Sequence, residues 1–403
     1  MSLGPVLAAL PASLPATVVR DGDRTVIAAG AADAIEPGRA EQDGLAALDR
    51  MDRGWWAGYA AYDAERTVER VEPRTPPDPA LADLTFVRFA ARAELRTDGG
   101  VELFGAGPER RALEDALANP IPVDVPSPSA QWTSSLDRLE YERGVRTVHE
   151  LIRAGDCYQV NLTRRLTGPA IDPVRLWCAT ETGNPAPHAM FWRDGRGLGI
   201  VSASPERFLG VDGRRVETRP IKGTAARATR LRGSQKDRAE NVMIVDLARN
   251  DLGRVCAPGS ITVPELCRVE AHPGLVHLVS TVTGTLRPGV GLGTLLRATF
   301  PPASITGAPK PRVMQVIEDL EPVRRGVYCG AIGWVDVDAA RADLAVAIRT
   351  FTCTASETTF GVGAGITIDS DPAAEWAETE LKARRLLSLA GERRESPVAA
   401  LQS

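Results

Sequence analysis

The predicted β-strands of this chain come in groups, and this grouping is the feature that most restricts its fold. Two strands follow one another at 199–202 and 207–211, and three more stand at 330–337, 342–352 and 358–368 with no helix between them. Helical periodicity separates the groups. The predicted helices lie at 109–117, 238–249, 291–300, 312–320 and 372–389. Strict alternation of strands and helices would indicate a parallel sheet, whereas grouped strands favour antiparallel sheets with helices outside. The sequence therefore predicts an α+β fold.

A stretch rich in proline and serine, residues 119–135, divides the chain. Such a composition is typical of a linker. We therefore predict an N-terminal α+β region at 1–118 that packs on the core, a main domain at 136–390 and a frayed tail at 391–403. Within the first part, residues 54–63 predict a buried strand whose glycines let another backbone come close.

Local signals mark the ends of several elements in the main domain. The pattern becomes helical from Leu136, and Gly155 indicates where this helix stops. A strand is predicted directly after it, at 157–166. Asp371 suits an N-cap and Pro372 the first helical position, so we expect the last helix to begin there.

Composition argues against two classes of partner. The net charge is −4, which does not suit a protein whose main partner is nucleic acid or an anionic membrane. No apolar run approaches the length that spans a bilayer, and the N-terminus lacks the basic residues that begin a signal peptide. The six cysteines are scattered, with no CxxC pair, which indicates reduced thiols. We therefore expect a cytoplasmic protein.

Lysine is scarce in this chain, and one lysine stands in an unusual setting. Only four lysines occur among 48 basic side chains, so arginine supplies most of the plain positive charge. Lys222 lies between Pro220-Ile221 and Gly223-Thr224. An amine can lose its proton and act as a nucleophile, whereas a guanidinium stays charged. Lys222 is therefore a candidate nucleophile, and the alternative is a surface charge beside a turn.

Two acidic helices predict a metal site. Residues 237–247 open with a carboxylate and are apolar nearly all round, so we expect a buried helix whose carboxylates need a cation. In the last helix, Glu375, Glu378 and Lys382 share one face. The alternative there is a solvated Glu378–Lys382 pair. Carboxylates from two helices, without a His or Cys cluster, indicate oxygen ligation and hence Mg²⁺ holding an anionic substrate.

Glu206 is a candidate general acid, because it stands at the mouth of a predicted strand in the run Ser-Pro-Glu-Arg-Phe at 204–208. The alternative is a surface pair between Glu206 and Arg207. His277 lies in a β-like run, which is typical of a core histidine with satisfied hydrogen bonds.

Two glycine-bearing stretches differ from known phosphate-binding motifs. Residues 361–365 follow a predicted strand but lack the third glycine of a dinucleotide fingerprint, although their bare backbone amides suit a carboxylate. Residues 304–310 do not match Gly-x4-Gly-Lys-Ser/Thr. The sequence thus argues against both a dinucleotide site and a nucleoside triphosphatase.

Many ordered motifs run through the main domain. They lie at 155–162, 204–208, 219–224, 240–254, 277–280, 304–310, 328–334, 347–350, 361–366 and 375–382. In these motifs the chain resembles the chorismate-utilising enzymes, a family that includes the anthranilate synthase large subunit, aminodeoxychorismate synthase component I, and the isochorismate and salicylate synthases. The resemblance implies a layered α/β/β/α sandwich with antiparallel sheets flanked by helices.

Within that family, Pro-Ile-Lys-Gly-Thr at 220–224 is similar to the aminodeoxychorismate branch, since anthranilate synthases typically carry Ala where this chain has Lys222. The resemblance implies that Lys222 attacks C2 of chorismate while Glu206 protonates the departing C4 hydroxyl. Ammonia would then attack C4 and expel the lysine, which gives 4-amino-4-deoxychorismate.

The resemblance also implies the binding residues. Glu240, Glu375 and Glu378 would hold Mg²⁺ on the ring carboxylate of chorismate. The other implied substrate-binding residues are Gly223, Thr224, His277, Thr306, Tyr328, Arg349, Gly363, Ala364, Gly365 and Lys382.

The chain lacks a sequence motif for producing ammonia from glutamine. The chain contains no Gly-x-Cys-x-Gly nucleophile element, so the resemblance implies a separate glutamine amidotransferase subunit as partner. Two alternatives stay open: anthranilate synthase component I, and a catalytically silent paralogue that binds chorismate.

Overall fold

The computed structural model describes residues 2–37, 44–78, 81–125, 131–225, 231, 233–272 and 275–392. The centre of the predicted linker, at 126–130, and the predicted tail from 393 onward lie outside these residues. The side chain of Thr224, which carries one of the predicted substrate contacts, also lies outside them.

Within the described ranges, nineteen strands pair antiparallel and form one hydrogen-bonded network. The strands are β1 Ala16–Asp21, β2 Arg24–Ile35, β3 Trp55–Ala60, β4 Leu84–Arg96, β5 Val101–Gly105, β6 Thr133–Ser134, β7 Gln159–Pro169, β8 His188–Arg193, β9 Gly199–Ser204, β10 Arg207–Asp212, β11 Arg215–Arg219, β12 Ile221–Ala225, β13 Thr262–His272, β14 Leu275–Thr285, β15 Gly307–Ala308, β16 Ala331–Asp336, β17 Arg341–Val346, β18 Thr350–Cys353 and β19 Glu357–Ile366. The predicted antiparallel pairing is therefore confirmed.

Helices accompany these strands along the described chain. They are α1 Gly4–Ala9, α2 Gly107–Ala118, α3 Arg138–Arg153, α4 Pro173–Gly183, α5 Gln235–Gly253, α6 Leu292–Thr299, α7 Lys310–Leu320 and α8 Pro372–Leu389, with 3₁₀ turns at Gly44–Arg50, Tyr62–Thr67 and Ala303–Ile305. The predicted α+β class is therefore confirmed as well.

Strand pairs join the N-terminal region to the main domain. In the pairing of β3 with β16, Gly58 stands directly opposite Gly333. A Cβ on Gly58 would overlap the main chain of Thr85, and a Cβ on Gly333 would overlap that of Asp343. Glycine is therefore needed where these backbones come close. β1 likewise pairs with β8.

Two predicted strands end earlier than expected. The strand predicted at 54–63 ends at Ala60 and is followed by the 3₁₀ turn Tyr62–Thr67. The strand predicted at 342–352 is two strands, because β17 pairs with β10 and β16 whereas β18 pairs with β9 and β19. The chain changes partners between them at Arg349, whose φ of 52° lies in the left-handed region.

The helix predicted at 238–249 is longer and less buried than expected. It spans Gln235–Gly253, and the prediction that this nearly all-apolar segment is buried is wrong for one of its sides. Ile244 is fully buried, but Val242 is 37% exposed. Asp246 is exposed and accepts a hydrogen bond from Arg249 at 2.9 Å. Helical geometry places only one side of an apolar segment against the core.

The capping signals are confirmed. Asp371 is the N-cap of α8 and accepts a hydrogen bond from the Ala374 N–H at 2.9 Å. Gly155, with φ 83°, follows α3. Asp137 and Glu140 begin that helix with a reciprocal capping box. These ends depend on residues close in sequence, which is why the pattern predicts them.

No described helix is both long and apolar enough to cross a membrane. The six cysteines are all unpaired thiols, and five of them are buried. Most of these side chains therefore serve as small core residues.

Candidate functional site

Lys222 lies in β12 at a bulge. The register of β12 against β14 shifts between Lys222 and Thr224, and Gly223 has φ 76°. A Cβ at Gly223 would lie 3.0 Å from the side chain of Asp237, so both space and conformation favour glycine there. The Lys222 Nζ donates a hydrogen bond to the Ser304 carbonyl at 2.9 Å. The bulge thus delivers an amine to a loop 82 positions further along the chain.

The charges around Lys222 come from several distant elements. Burial lowers the pKa of Lys222, whereas Glu240, Glu206 and Glu378 raise it and Lys382 lowers it further. The structure therefore brings together five residues that the sequence analysis selected from four separate stretches. A buried ammonium loses hydration, so its proton is released more easily than in water.

Glu206 connects β9 to β10 and is 3% exposed. Burial raises its pKa to about 7, against the opposing effects of the Ser304 hydroxyl, Lys222 and the Ile221 N–H. That N–H donates to Glu206 Oε1 at 3.3 Å. A carboxyl group with a pKa near neutrality is partly protonated at the pH of a cell, which suits a general acid.

Glycine in β19 gives the Gln159 side chain its space next to the Lys222 amine. A Cβ on Gly365 would overlap the Gln159 side-chain amide and would lie 3.5 Å from Lys222 Nζ. Gln159 is 1% exposed, and neither its Oε1 nor its Nε2 has a hydrogen-bond partner among the described residues. The sequence analysis missed Gln159, because a polar residue alternating with apolar ones in a strand usually faces solvent.

The β7–β19 ladder leaves some backbone amides of β19 directed away from β7. Thr163 stands opposite Gly363, yet its N–H donates to Glu321 Oε1 at 2.8 Å. The two residues therefore form a non-hydrogen-bonded pair. The amide of Gly363 points away from β7, and by the period of two so does that of Gly365. Lys382 Nζ donates to the Gly363 carbonyl on that side at 2.9 Å.

Ala364 differs from its two glycine neighbours. It stands opposite Leu162 and out of phase with Gly363, so its amide is directed into the β7 ladder. Carboxylate binding by these amides remains a prediction, and the geometry restricts it to Gly363 and Gly365.

Arg349 directly precedes β18, and Tyr328 packs on β19, the strand that pairs with β18. The Arg349 carbonyl accepts the Ala203 N–H at 3.0 Å. Burial lowers the pKa of Arg349, whereas the charge of Glu206 raises it. The Tyr328 ring covers Gly361, since a Cβ there would overlap it. These positions are compatible with the predicted role of both residues in substrate binding.

Two other predicted binding residues are buried. His277 in β14 is 1% exposed and stands opposite both Glu270 and the main chain of Thr224. Thr306 is fully buried, and its hydroxyl donates to the Pro302 carbonyl at 3.2 Å. The hydrogen bond of Thr306 therefore supports its own loop, and its contact with substrate stays a prediction.

The predicted metal ligands are carboxylates from α5 and α8. Glu375 is 6% exposed, and Glu378 forms an ion pair with Lys382 at 2.7 Å, the alternative that the spacing predicts. Among the described residues, no three His, Cys, Asp or Glu side chains stand ready as a metal-binding group. The donor type nevertheless fits a hard cation, and both Glu240 and Glu378 act on the Lys222 amine.

Comparisons with known proteins identify the family of this chain. Residues 16–388 match the sequence profile of a family described as chorismate binding enzyme. Over 270 residues the chain is 44% identical to the aminodeoxychorismate synthase component 1 of Salmonella typhimurium, which covers 64% of this chain and 59% of that protein. Over 370 residues it is 38% identical to an anthranilate synthase component 1 of Haloarcula marismortui, with 83% and 75% covered.

A solved structure shows the same fold. Anthranilate synthase component I from Streptococcus pneumoniae superposes with a TM-score of 0.80 at 26% identity, over 91% of this chain and 92% of that one. The layered architecture predicted from the motifs is therefore confirmed. The chain spans 59% of the length of the Salmonella relative.

Proposed function

Because the chain belongs to the family of chorismate-binding enzymes, we propose that it converts chorismate and ammonia to 4-amino-4-deoxychorismate. One observation carries the proposal: the half-buried Lys222 amine, held by the Ser304 carbonyl at 2.9 Å, shares its surroundings with the buried Glu206. A nucleophile and an acid are thereby available together. The name of the Salmonella relative supports the same product.

The proposed reaction begins at the amine. Neutral Lys222 attacks C2 of chorismate, the ring double bonds shift, and the C4–O bond breaks. Glu206 gives its proton to the departing hydroxyl, which leaves as water. Ammonia then attacks C4, the double bonds shift back, and the C2–N bond breaks to free the lysine. The lysine leaves with the C2–N electron pair as a neutral amine, and the new C4 ammonium releases one proton, which restores Glu206. The net change replaces hydroxyl by amine and releases water.

The other charged residues would bind and orient the substrate. Chorismate is a dianion, and the Arg349 guanidinium together with the amides of Gly363 and Gly365 suits one carboxylate. We propose that Glu240, Glu375 and Glu378 hold Mg²⁺, which would neutralise the second carboxylate.

Ammonia needs a supplier. We propose that a separate glutamine amidotransferase subunit delivers it, and the words "component 1" in the names of both relatives support a second subunit. Purified chain should therefore work with ammonium salts by itself and with glutamine only when that subunit is added.

Product identification tests the proposal most directly. Purified protein, chorismate, Mg²⁺ and ammonium are incubated, and the product is analysed by mass spectrometry and fluorescence. We expect aminodeoxychorismate, whose mass is one unit below that of chorismate, and no fluorescent anthranilate.

Anthranilate synthase is the second candidate, because the Haloarcula relative carries that name at 38% identity. Fluorescent anthranilate in the same assay would establish it and refute the first. Formation of neither product, with chorismate still bound in a calorimetric titration, would indicate the silent paralogue.

A further inference from the structure

The Arg325 side chain is buried and has an unusually complete set of acceptors. It is 2% exposed. Its Nη1 donates to the Ile305 carbonyl at 3.0 Å, and its Nη2 donates to the Asn161 carbonyl at 2.6 Å. Nε and Nη2 also donate to the two carboxylate oxygens of Glu321, at 2.9 and 2.6 Å. The guanidinium thus joins a loop, a strand and a helix end.

Both main-chain acceptors belong to the walls of the candidate site. Ile305 directly follows Ser304, whose carbonyl accepts a hydrogen bond from the Lys222 amine. The Ser304 hydroxyl is buried without a hydrogen-bond partner among the described residues, and it lowers the pKa of Glu206. Asn161 lies in β7 opposite Gly365, and its side-chain amide donates to the Ile305 carbonyl at 3.0 Å. Arg325 therefore contacts neither of the two reactive groups but holds the backbone on both sides of them.

A side chain of the N-terminal region packs against the flat face of the Arg325 guanidinium. The Tyr62 ring lies 4.6 Å from the central carbon of Arg325, within cation–π distance. The Tyr62 N–H donates to the Gly326 carbonyl at 2.7 Å, and the Gly326 N–H donates to Asp63 at 3.0 Å. The segment after Arg325 is thereby seated on the 3₁₀ turn of the N-terminal region.

A contribution to stability alone does not explain why an arginine is buried at position 325. A buried ion pair such as Arg325–Glu321 is expensive to desolvate and can be replaced by apolar residues without loss of stability. Apolar side chains, however, cannot donate in fixed directions to two carbonyls at once. A planar guanidinium does so, and an ammonium has no equivalent fork.

We infer that Arg325 is a positioning residue for the reaction of this chain, acting through the Ile305 and Asn161 carbonyls to align Ser304 with Lys222 and Glu206. The inference rests on the proposed function only in that a chorismate-consuming rate is measured. It concerns the alignment of the acid, whichever product forms.

A lysine substitution tests this role, and the neighbouring arginine provides a matched control. In Arg325→Lys the charge stays but the fork is lost, so we expect kcat to fall about 100-fold, with KM changed less than about threefold. Arg324 is adjacent and half-buried, but its Nε donates to the Thr75 carbonyl at 3.2 Å, outside the site. Arg324→Lys should keep kcat within about twofold.

The pH profile separates positioning from simple loss of fold. Glu206 must be protonated to act, so kcat falls as pH rises through its pKa. The Ser304 hydroxyl lowers that pKa, as do Lys222 and Arg349. We call the fall of kcat at high pH the basic limb of the pH profile. If Arg325→Lys displaces only Ser304 from Glu206, the pKa of Glu206 rises and the basic limb should move to higher pH. Cys329, whose thiol also faces the Glu206 charge, is unchanged in this variant.

Two further variants complete the test. Ser304→Ala should show the same shift of the basic limb, and adding Arg325→Lys to it should shift the limb no further. If Arg325→Lys does not fold, Tyr62→Leu keeps the hydrogen bonds and removes the ring beneath them, and a shift in the same direction of smaller size is expected.

The contrary results are equally specific. A lower kcat with an unmoved basic limb, or equal kcat in Arg325→Lys and Arg324→Lys, would overturn the positioning role. Anthranilate as the wild-type product would refute the proposed function and leave this test intact. Aminodeoxychorismate formed with no limb shift would refute the positioning role alone.

Discussion

Two lysines of this protein, the half-buried Lys222 and the buried Lys310, differ in what their amino groups contact. At the start of α7, Lys310 Nζ donates to Asp251 Oδ2 at 2.7 Å and to the Thr299 carbonyl at 3.0 Å. Lys222 Nζ donates to the neutral Ser304 carbonyl at 2.9 Å. Burial lowers the pKa of both amines. A carboxylate in direct contact keeps the proton in place, whereas a carbonyl favours the ammonium less and can also accept from a neutral amine.

The comparison teaches that burial of a lysine does not by itself indicate chemistry. Lys310 is 9% exposed and ties the end of α5, at Asp251, to the last turn of α6, at Thr299. Lys222 is only half-buried, and its amino group contacts a neutral main-chain carbonyl. Lys310 is therefore a structural tie, whereas Lys222 is partly exposed and has no carboxylate in hydrogen-bond contact among the described residues.

The largest effect should come from replacing Lys222. We expect Lys222→Arg to lower the ammonium-dependent turnover of chorismate at least ~10³-fold, because a guanidinium cannot serve as the nucleophile. The melting temperature should change by no more than a few degrees. Lys310→Arg is the matched control, and it should retain most of the activity. Equal activity losses in the two variants would remove the distinction between the two lysines.

Removing the structural lysine should instead cost stability. In Lys310→Met the Asp251 carboxylate stays buried without its cation, so the free energy of unfolding should fall by about 3 kcal/mol. Urea denaturation followed by fluorescence measures this change. The double variant Lys310→Met with Asp251→Leu should recover much of the loss, and failure to recover would mean that the ion pair is not the source of the effect.

Replacing the acid beside Lys222 should reduce turnover next. We expect Glu206→Gln to lower kcat by about 10²-fold, since an amide cannot donate the proton that the leaving hydroxyl needs. The fall of kcat above the pKa of about 7 should disappear with it. A persisting basic limb in this variant would assign that titration to another group.

The same substitution should raise stability, in contrast to Lys310→Met. The folded pKa of Glu206 is about 7 against an ordinary value of 4.5, so the folded state binds more protons between these values. Stability therefore falls as pH rises through that window. Glu206→Gln removes the penalty, and its free energy of unfolding should exceed that of the wild type by roughly 1–3 kcal/mol at pH 8. At pH 5 most of the difference should vanish, and an equal difference at both pH values would contradict the assignment.

The smallest expected effect concerns the carboxylates of α8. In Glu378→Gln the Mg²⁺ concentration for half-maximal activity should rise about tenfold, because one ligand loses its charge. Glu380→Gln is a control on the same helix, since Glu380 pairs with Arg164. Activity that is unaffected by EDTA in the wild type would exclude the proposed metal.

Local sequence signals predicted much of the fold. Asp371 and Gly155 act on backbone groups within a few positions, so their roles can be read from the chain itself. The motif around Lys222 and the acid at Glu206 were also recognisable, because few residue types can supply a nucleophile or a proton.

Contacts between distant segments were not predictable in the same way. Arg325 bonds a carbonyl 164 positions away, and Gln159 gains importance only because β19 places Gly365 beneath Lys222. The strand break at Arg349 likewise depends on which neighbours β17 and β18 find. Neither Arg325 nor Gln159 has a local pattern that distinguishes it from an ordinary surface side chain.

The sequence by itself determined the chemical groups, the element types and the family of this protein. Only the tertiary structure decided which lysine meets a carboxylate and which meets a carbonyl, and whether a carboxyl group stays hydrated. The physical reason is that a proton affinity depends on burial and on neighbouring charges, and in this fold those neighbours arrive from opposite ends of the chain.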